Sequence, residues 1–445
     1  MLRIRPGLVC LLSLGLMLGE ARCVAQQASP ELAETALTAP LAAEPVLREG
    51  DLSGGALTLT TVEELAIGAS ASLQAIEARV RAARWHCLQV GLRPNPSVGY
   101  VAAEVGNEGL AGQQGAFVSQ QFVRGGKLTY AQAVASKEAR RLEQEFGVER
   151  MRLLTDVRTA YYDAYLAQLE VELSERLTEL SRRASEASRR LLEAGEGKRT
   201  DALLAEIEAQ RADASRRSAN QLLLASWRRL APLTGLSATP QPLNADRDAL
   251  LRETDWATTQ TQILATSPEL AARLAAIDRA RCEVAYQRSV AVPDVSTQFS
   301  VQYDDSTNYT VAGVQIGVPL QIWNRNQGAI GRAQAELTAA QRDLEAKEQT
   351  LERELAAVYG RFQAARERAE ALSKEVLPRA QENLDLAAEG YQAGEINFLD
   401  LLTVQRTFFE VNLESLAALR ELNTTAQLLR GGLLAGSGAT SSEGL

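Results

Sequence analysis

Residues 295–318 read VSTQFSVQYDDSTNYTVAGVQIGV, and the fold turns on their alternation. Val295, Thr297, Phe299, Val301 and Tyr303 alternate with Ser296, Gln298, Ser300 and Gln302, a period of two that gives an extended strand one apolar and one polar face. Asp304-Asp305-Ser306-Thr307-Asn308 then forms a polar turn. In the returning run Ala312, Val314, Ile316 and Val318 take one face and Gly313, Gln315 and Gly317 the other. Each run has about the 9 to 11 residues that a tilted strand needs to cross a bilayer.

A second hairpin is predicted over about 97–123. Val98, Tyr100 and Ala102 alternate there, Ala116 to Val123 keeps only a ragged phase, and the loop from Gly106 to Gly112 is glycine-rich. Four strands cannot close a barrel, and open edges are not tolerated in hydrocarbon, so several copies must share one. Two, three or four chains supply eight, twelve or sixteen strands, and a useful polar lumen needs the middle size or more. Ser296, Gln298, Ser300, Gln302 and Gln315 are the candidate lumen lining. The alternative reading is a soluble four-stranded sheet carried on a coiled coil.

Outward from the hairpins, the chain reads as two copies of one plan at an offset of roughly 200 residues. Each copy has a helix-like segment (Leu73 to Val90, Pro268 to Val290) that stops at proline, in Pro94-Asn95-Pro96 and Pro293-Asp294. A hairpin follows (about 97–123 and 295–321), then a long helix (about 128–193 and 328–392). The long helices end at Ala194-Gly195-Glu196 and Ala393-Gly394-Glu395, and return helices run over about 200–233 and 397–430, starting near Asp201 and Asp400. The first repeat thus spans 56–235 and the second 256–432, joined by a linker at 236–255.

Leu351, Leu355, Val358, Phe362, Ala365, Ala369, Leu372 and Val376 step by four and three, a coiled-coil seam. Leu173, Leu177, Leu180, Ala184, Ala187 and Leu191 repeat the rhythm in the first copy. At ~1.5 Å per residue, rods of this length reach about 100 Å. Pro378 falls inside the second rod, where a missing backbone donor predicts a local kink.

Arg3 and Arg5 followed by the apolar run Leu8 to Leu18 read as a signal peptide, 1–25, cleaved after Ala25. Cys23 also reads as a lipid-attachment cysteine, against which Arg22 counts. Segments 26–55 and 433–445, rich in Ala, Pro, Gly and Ser, are predicted to be disordered. Beyond the signal no long uncharged apolar stretch remains, which excludes a helical membrane protein. The net charge of −9 argues against nucleic acid. A single histidine, His86, read as a helix-surface residue, and the cysteines Cys87 and Cys282 leave thiol or imidazole metal sites and a histidine-paired nucleophile poorly supported. The two cysteines could form one bridge or remain two thiols.

The order of signal, helix, proline-marked strand entry, hairpin, long helix, Gly-Glu tip and return helix, all duplicated, resembles the TolC-like outer-membrane efflux proteins over about residues 60–432. Val318-Pro-Leu-Gln-Ile-Trp-Asn-Arg-Asn-Gln-Gly328 is similar to the strand-to-helix junction of the family's metal-efflux branch, the CzcC and CusC type. Tyr391-Gln-Ala-Gly-Glu395 followed by Asp400-Leu-Leu is similar to its second tip motif. The resemblance implies a homotrimer with a shared twelve-stranded barrel in outer-membrane lipid and a periplasmic α-helical barrel below it. The tip turns at Gly195, Glu196, Gly394 and Glu395 would meet a periplasmic adaptor and an inner-membrane pump of the resistance-nodulation-division (RND) type.

In the family archetype a tyrosine and an arginine near the second tip hold it closed against acidic and hydroxyl partners. Tyr391, Asp400, Thr200 and Asp201 match those positions here, whereas Ile396 and Thr403 depart from them. The resemblance therefore implies a passive conduit, with no catalytic residues and no cofactor, exporting heavy-metal cations. The alternatives are a drug or protein secretion duct of the same family, or a periplasmic coiled-coil scaffold without a pore. The many carboxylates sit among arginines on helical faces and read as a solvated surface rather than a catalytic pair.

Overall fold

The computed structural model describes residues 56–106, 111–195, 197–245, 255–393 and 395–433. The expected signal segment, the segment 26–55, the tail after 433, and Glu196 and Gly394 of the tip turns lie outside the described residues. Along the chain run α1 (Leu59–Ala69), α2 (Ala71–Gly91), β1 (Ser97–Ala103), β2 (Gln113–Phe122), α3 (Lys127–Glu193) and α4 (Arg199–Thr234). The same order recurs in α5 (Trp256–Thr266), α6 (Pro268–Val290), β3 (Val295–Asp304), β4 (Tyr309–Gly317), α7 (Gln327–Ala371), a π turn (Leu372–Val376), α8 (Leu377–Ala393) and α9 (Phe398–Arg430).

Where one entry helix per copy was expected, there are two. The Thr58 and Asp255 side chains cap the first of each pair, accepting from the backbone N–H of Thr61 and Thr258. Ser70 and Ser267 break the pair with extended backbone and cap the second helix, accepting from Leu73 and Leu270 N–H at 3.3 and 3.5 Å. Pro268 occupies the first helical position of α6, where its missing N–H costs nothing. The return helices begin at Arg199 and Phe398, two residues before Asp201 and Asp400, so both aspartates lie in the first turn. Their charge there complements the positive end of the helix dipole.

The chain divides into two compact units. The first comprises Glu77–Gln144 and Ala271–Glu345 in addition to residues that are not described. It holds a four-stranded antiparallel sheet in the order β1-β2-β3-β4. Ion pairs tie its helices: Arg84 to Glu143 at 2.8 Å, Lys137 to Asp278 at 3.3 Å and Arg279 to Glu138 at 3.0 Å. The hydrogen bond from Arg141 holds the Glu138 carboxyl below its ordinary value. Cys87 is a free thiol, so no bridge joins it to Cys282, and His86 is exposed on α2 as expected.

The second unit contains the C-terminal parts of the long helices and all of α4, α5 and α9. Its core centres on Trp227, Tyr161, Leu166 and Leu230, all fully buried. The Tyr161 hydroxyl lies 2.8 and 2.6 Å from the carbonyl oxygens of Leu57 and Asn244, and its burial pushes the phenol up to about 12. Leu57 and Leu243 form a parallel bridge beside it, so the described part of the 236–255 linker is held rather than loose.

Two seam expectations need correction. In α3 the buried stripe is not the leucine series: Ser174, Ser181 and Ser188 are buried, while Ala187 and Leu191 are exposed. On α4 the buried residues Ala205, Ala212 and Ala219 show the same spacing of seven. Of the predicted series, Ala184 packs against the cluster of Ala205, Phe398 and Leu402. In the second rod the predicted seam is buried from Leu351 to Leu372, but Val376 is 39% exposed. The π turn is the cause, because its i→i+5 bonding, Leu377 N–H to Leu372 O, adds a residue to one turn and rotates the helix beyond it. The irregularity therefore begins a turn ahead of Pro378, and the helix continues through that proline to Ala393.

Candidate functional site: the sheet wall and the helix tips

Strand register settles which residues share a face. Val118 opposes Val98 and Phe299, Ala116 opposes Tyr100 and Val301, and Val314 opposes Phe299. This face is apolar and open to solvent in the isolated chain, with Val98 79%, Val314 72% and Ile316 68% exposed. The other face carries Ser296, Gln298, Ser300, Gln302 and Gln315. Ser300 is buried, Gln298 and Gln302 are half-buried, and Ser296 and Gln315 are exposed. Ser296 Oγ donates to Gly317 O at 3.2 Å, and Gln302 Nε2 donates to Ser300 Oγ at 3.3 Å.

The polar face is also the crowded one. A Cβ on Gly313 or Gly317 would lie 2.8 and 2.9 Å from the hydroxyls of Ser300 and Ser296, and one on Gly115 would lie 1.9 Å from Val301 O. Phe117 sits on this face with its ring over Gly99, 2.6 Å from where a Cβ would stand. That exchange of a large ring for a missing side chain explains the ragged phase of β2. Strands β1 and β4 are the sheet edges, and neither has a partner on its outer side among the described residues.

At the C-terminal end of α3, Gly195 closes the helix with a left-handed φ of +78°, donating its N–H to Leu192 O at 3.1 Å. Gly197, which carries no motif of its own in the sequence, is the tighter position. Its N–H donates to Leu191 O at 2.9 Å, and an added Cβ would lie 2.9 Å from Leu192 N. At the second tip the N–H of Glu395 and of Ile396 both donate to Gly390 O, and the Asn397 side chain caps α9 through Asp400 N–H at 3.0 Å.

Tyr391 and Phe398 meet with their rings tilted by 59° and their centroids 6.1 Å apart. They pack with Leu402 on Ala205 of α4, so the second tip rests on the first repeat's return helix. Thr200 donates to Asp201 Oδ1 at 3.2 Å, and Asp400 is exposed. Among the described residues none of these three bonds to Tyr391. Arg406 of α9 instead pairs with the mostly buried Glu208 of α4, which also receives Arg211 at 3.1 Å. That cross-tie has no local signal, since its partners lie 198 residues apart.

The model of the outer membrane efflux protein family matches residues 63–236 and again 260–433. The chain belongs to that family. Each matched stretch holds one hairpin with its long and return helices. An outer membrane efflux protein is a conduit and not an enzyme, and the outer membrane is its location. The cobalt-zinc-cadmium resistance protein CzcC of Cupriavidus metallidurans is 28% identical over 384 residues, covering 82% of this chain and 87% of the relative. Among solved structures, CusC superposes with a TM-score of 0.67 at 18% identity, covering 89% of this chain and 98% of CusC. The open state of the Neisseria gonorrhoeae MtrE outer membrane channel gives 0.68 at 18% identity, covering 85% and 89%. These likenesses place the efflux-family chain in that channel fold.

Proposed function

We propose that three copies of this efflux-family chain close a twelve-stranded barrel and form the passive outer-membrane duct of a tripartite system that exports heavy-metal cations. The observation that carries this reading is the incomplete sheet. Four strands with two open edges, an exposed apolar face and a glycine-crowded polar face make one third of a wall between lipid and a wet lumen. Closure by identical neighbours satisfies every edge without adding a new element. The polar residues from Ser296 to Gln302, with Gln315, then line the lumen.

The helical portion extends on the periplasmic side, with the turns at Gly195, Glu196, Gly394 and Glu395 toward an adaptor and an inner-membrane RND-type pump that supplies the energy. In a trimer Thr200, Asp201 and Asp400 recur three times around the axis near the tip, and clustered carboxylates favour cations by focusing negative potential. Tyr391, held on Ala205, is the residue whose packing would shift as the tip opens. The relation to CzcC over most of the chain supports metal cations as cargo.

The test is reconstitution of the purified protein into a planar bilayer. Discrete conductance steps, with cation preference reduced by Asp400→Asn and gating altered by Tyr391→Phe, are expected. A monodisperse monomer that stays in water without detergent and never conducts would refute the duct. For the cargo, a deletion strain should become sensitive to cobalt, zinc or cadmium, and unchanged tolerance to all three would remove the metal reading.

A further inference from the structure

The register places the start of β1, the end of β2, the start of β3 and the end of β4 at one end of the sheet. The connection from β4 to α7 at that end turns two half-buried amides toward α6: Gln321 Nε2 donates to Val290 O at 3.4 Å, and Asn326 Nδ2 donates to Gln287 O at 2.7 Å and to its Oε1 at 2.9 Å, while Asn324, Arg325 and Gln327 are exposed. Its apolar side chains turn outward, with Leu320 80%, Ile322 57% and Trp323 85% exposed. Gln327 Nε2 donates to Trp323 O at 3.2 Å, and Asn326 adopts a left-handed φ of +60°, so the loop is pinned with these apolar groups outward. In water that arrangement leaves three large apolar groups hydrated.

Charge at the same level is also unusual. The chain as a whole carries −9. At the junctions, residues 91–97, 122–127, 290–295 and 317–327, the cations Arg93, Arg124, Lys127 and Arg325 face a single carboxylate, Asp294. Asp294 is engaged by Lys127 at 2.6 Å, by Gln121 and by Arg124 N–H, and the guanidinium groups of Arg93, Arg124 and Arg325 are in no ion pair among the described residues. Indole rings favour the level of lipid headgroups, and guanidinium forks match phosphate oxygens.

We infer that this junction is a membrane-interface collar in which Leu320, Ile322 and Trp323 enter the periplasmic leaflet while Arg93, Arg124 and Arg325 bind the phosphates of anionic phospholipids. The inference rests on the duct reading, because the collar continues the apolar strand face that the barrel turns to lipid. It adds a lipid class and a depth.

The test uses the full-length protein in vesicles of phosphatidylcholine, alone or mixed equally with phosphatidylglycerol. The indole emission that is lost in Trp323→Phe should be quenched by lipids brominated close to the headgroup more than by lipids brominated near the chain end, and should resist iodide in the water. Brominated phosphatidylglycerol should quench better than brominated phosphatidylcholine. That preference should fall several-fold in the triple variant Arg93→Gln, Arg124→Gln, Arg325→Gln, at about fivefold or less per arginine. Iodide quenching of Trp323 in vesicles, or shielding from both iodide and brominated lipid, overturns the collar; the second result would mean that a neighbouring copy covers the ring. Equal quenching by the two brominated lipids removes the anionic preference. Single-channel recording of the same preparations separates the two readings: conduction with an unshielded Trp323 defeats the collar alone, and loss of conduction in every preparation defeats the duct with it.

Discussion

If three copies close the barrel, β4 must pair with β1 of a neighbour, and the internal repeat dictates the register. Laying Pro293-Asp294-Val295-Ser296 on Pro94-Asn95-Pro96-Ser97 carries Thr297 onto Val98 and Phe299 onto Tyr100, apolar face onto apolar face. The returning strands are matched through the hairpin registers, one residue shorter than this offset: Val98↔Val118 and Thr297↔Ile316 are the equivalent pairs, which lays Ile316 on Val118. Applied to the seam between β2 and β3, the two equivalences turn Val118↔Phe299 into Ile316 opposite Tyr100 of the neighbouring copy. Directly opposed residues in an antiparallel pair have Cα atoms about 4.5–5.5 Å apart, inside the range of ~4.4–6.8 Å that a disulfide spans. A slip of two residues moves the pair to roughly 7–8 Å. Tyr100→Cys combined with Ile316→Cys should therefore cross-link under mild oxidation into covalent dimers and closed trimers, seen on denaturing gels without reductant. Tyr100→Cys with Gln315→Cys, whose side chains point to opposite faces, should not. Preferential cross-linking of Tyr100→Cys with Val318→Cys or Val314→Cys would refute the quasi-equivalent seam, and monomers in every case would refute closure by neighbours.

Other expectations rest on single positions. Gly115→Ala places a Cβ 1.9 Å from Val301 O, where only backbone can yield. It should lower the thermal stability of the assembled protein by about 1–3 kcal/mol, whereas Gly328→Ala, which meets nothing within 4 Å, should be neutral or stabilising in the same melts. Leu355→Ala empties a fully buried seam position and should cost about 2–5 kcal/mol in urea unfolding. Val376→Ala, equivalent in the heptad pattern but rotated out by the π turn, should stay within about 0.5 kcal/mol, and equal losses at the two sites would contradict that rotation. Burial raises the Asp163 carboxyl above its ordinary value despite nearby Arg229 and Arg420. A raised acid contributes stability that is full below its unfolded value and lost as pH rises through the folded one. Asp163→Asn should therefore raise the melting temperature at neutral pH, with the gain vanishing toward pH of about 4; a lower melting temperature at neutral pH would mean that the arginine pairings outweigh burial.

Much of the fold is written locally. The alternation at 295–318 needs no partner to be read, because a strand with one polar and one apolar face has period two wherever it packs. The seam from Leu351 to Leu372 is visible for the same reason, since large apolar residues at four-three spacing leave a helix few ways to bury them. The prolines at 94, 96 and 293 stop helices by their own covalent geometry. The features that the chain alone left undecided depend on neighbours distant in sequence. Phe117 keeps the polar face because Gly99, on the next strand, leaves room for its ring. Ser174, Ser181 and Ser188 look like surface residues along the chain, yet the fold buries all three.

At the tip, the family resemblance singles out Tyr391 but not its seat on Ala205, and the sequence carries no sign of the Arg406–Glu208 tie between the repeats' return helices. Periodicity specifies which side of an element is buried. Only tertiary structure specifies what covers that side, because packing partners are chosen by shape and charge across the folded chain and not by spacing along it.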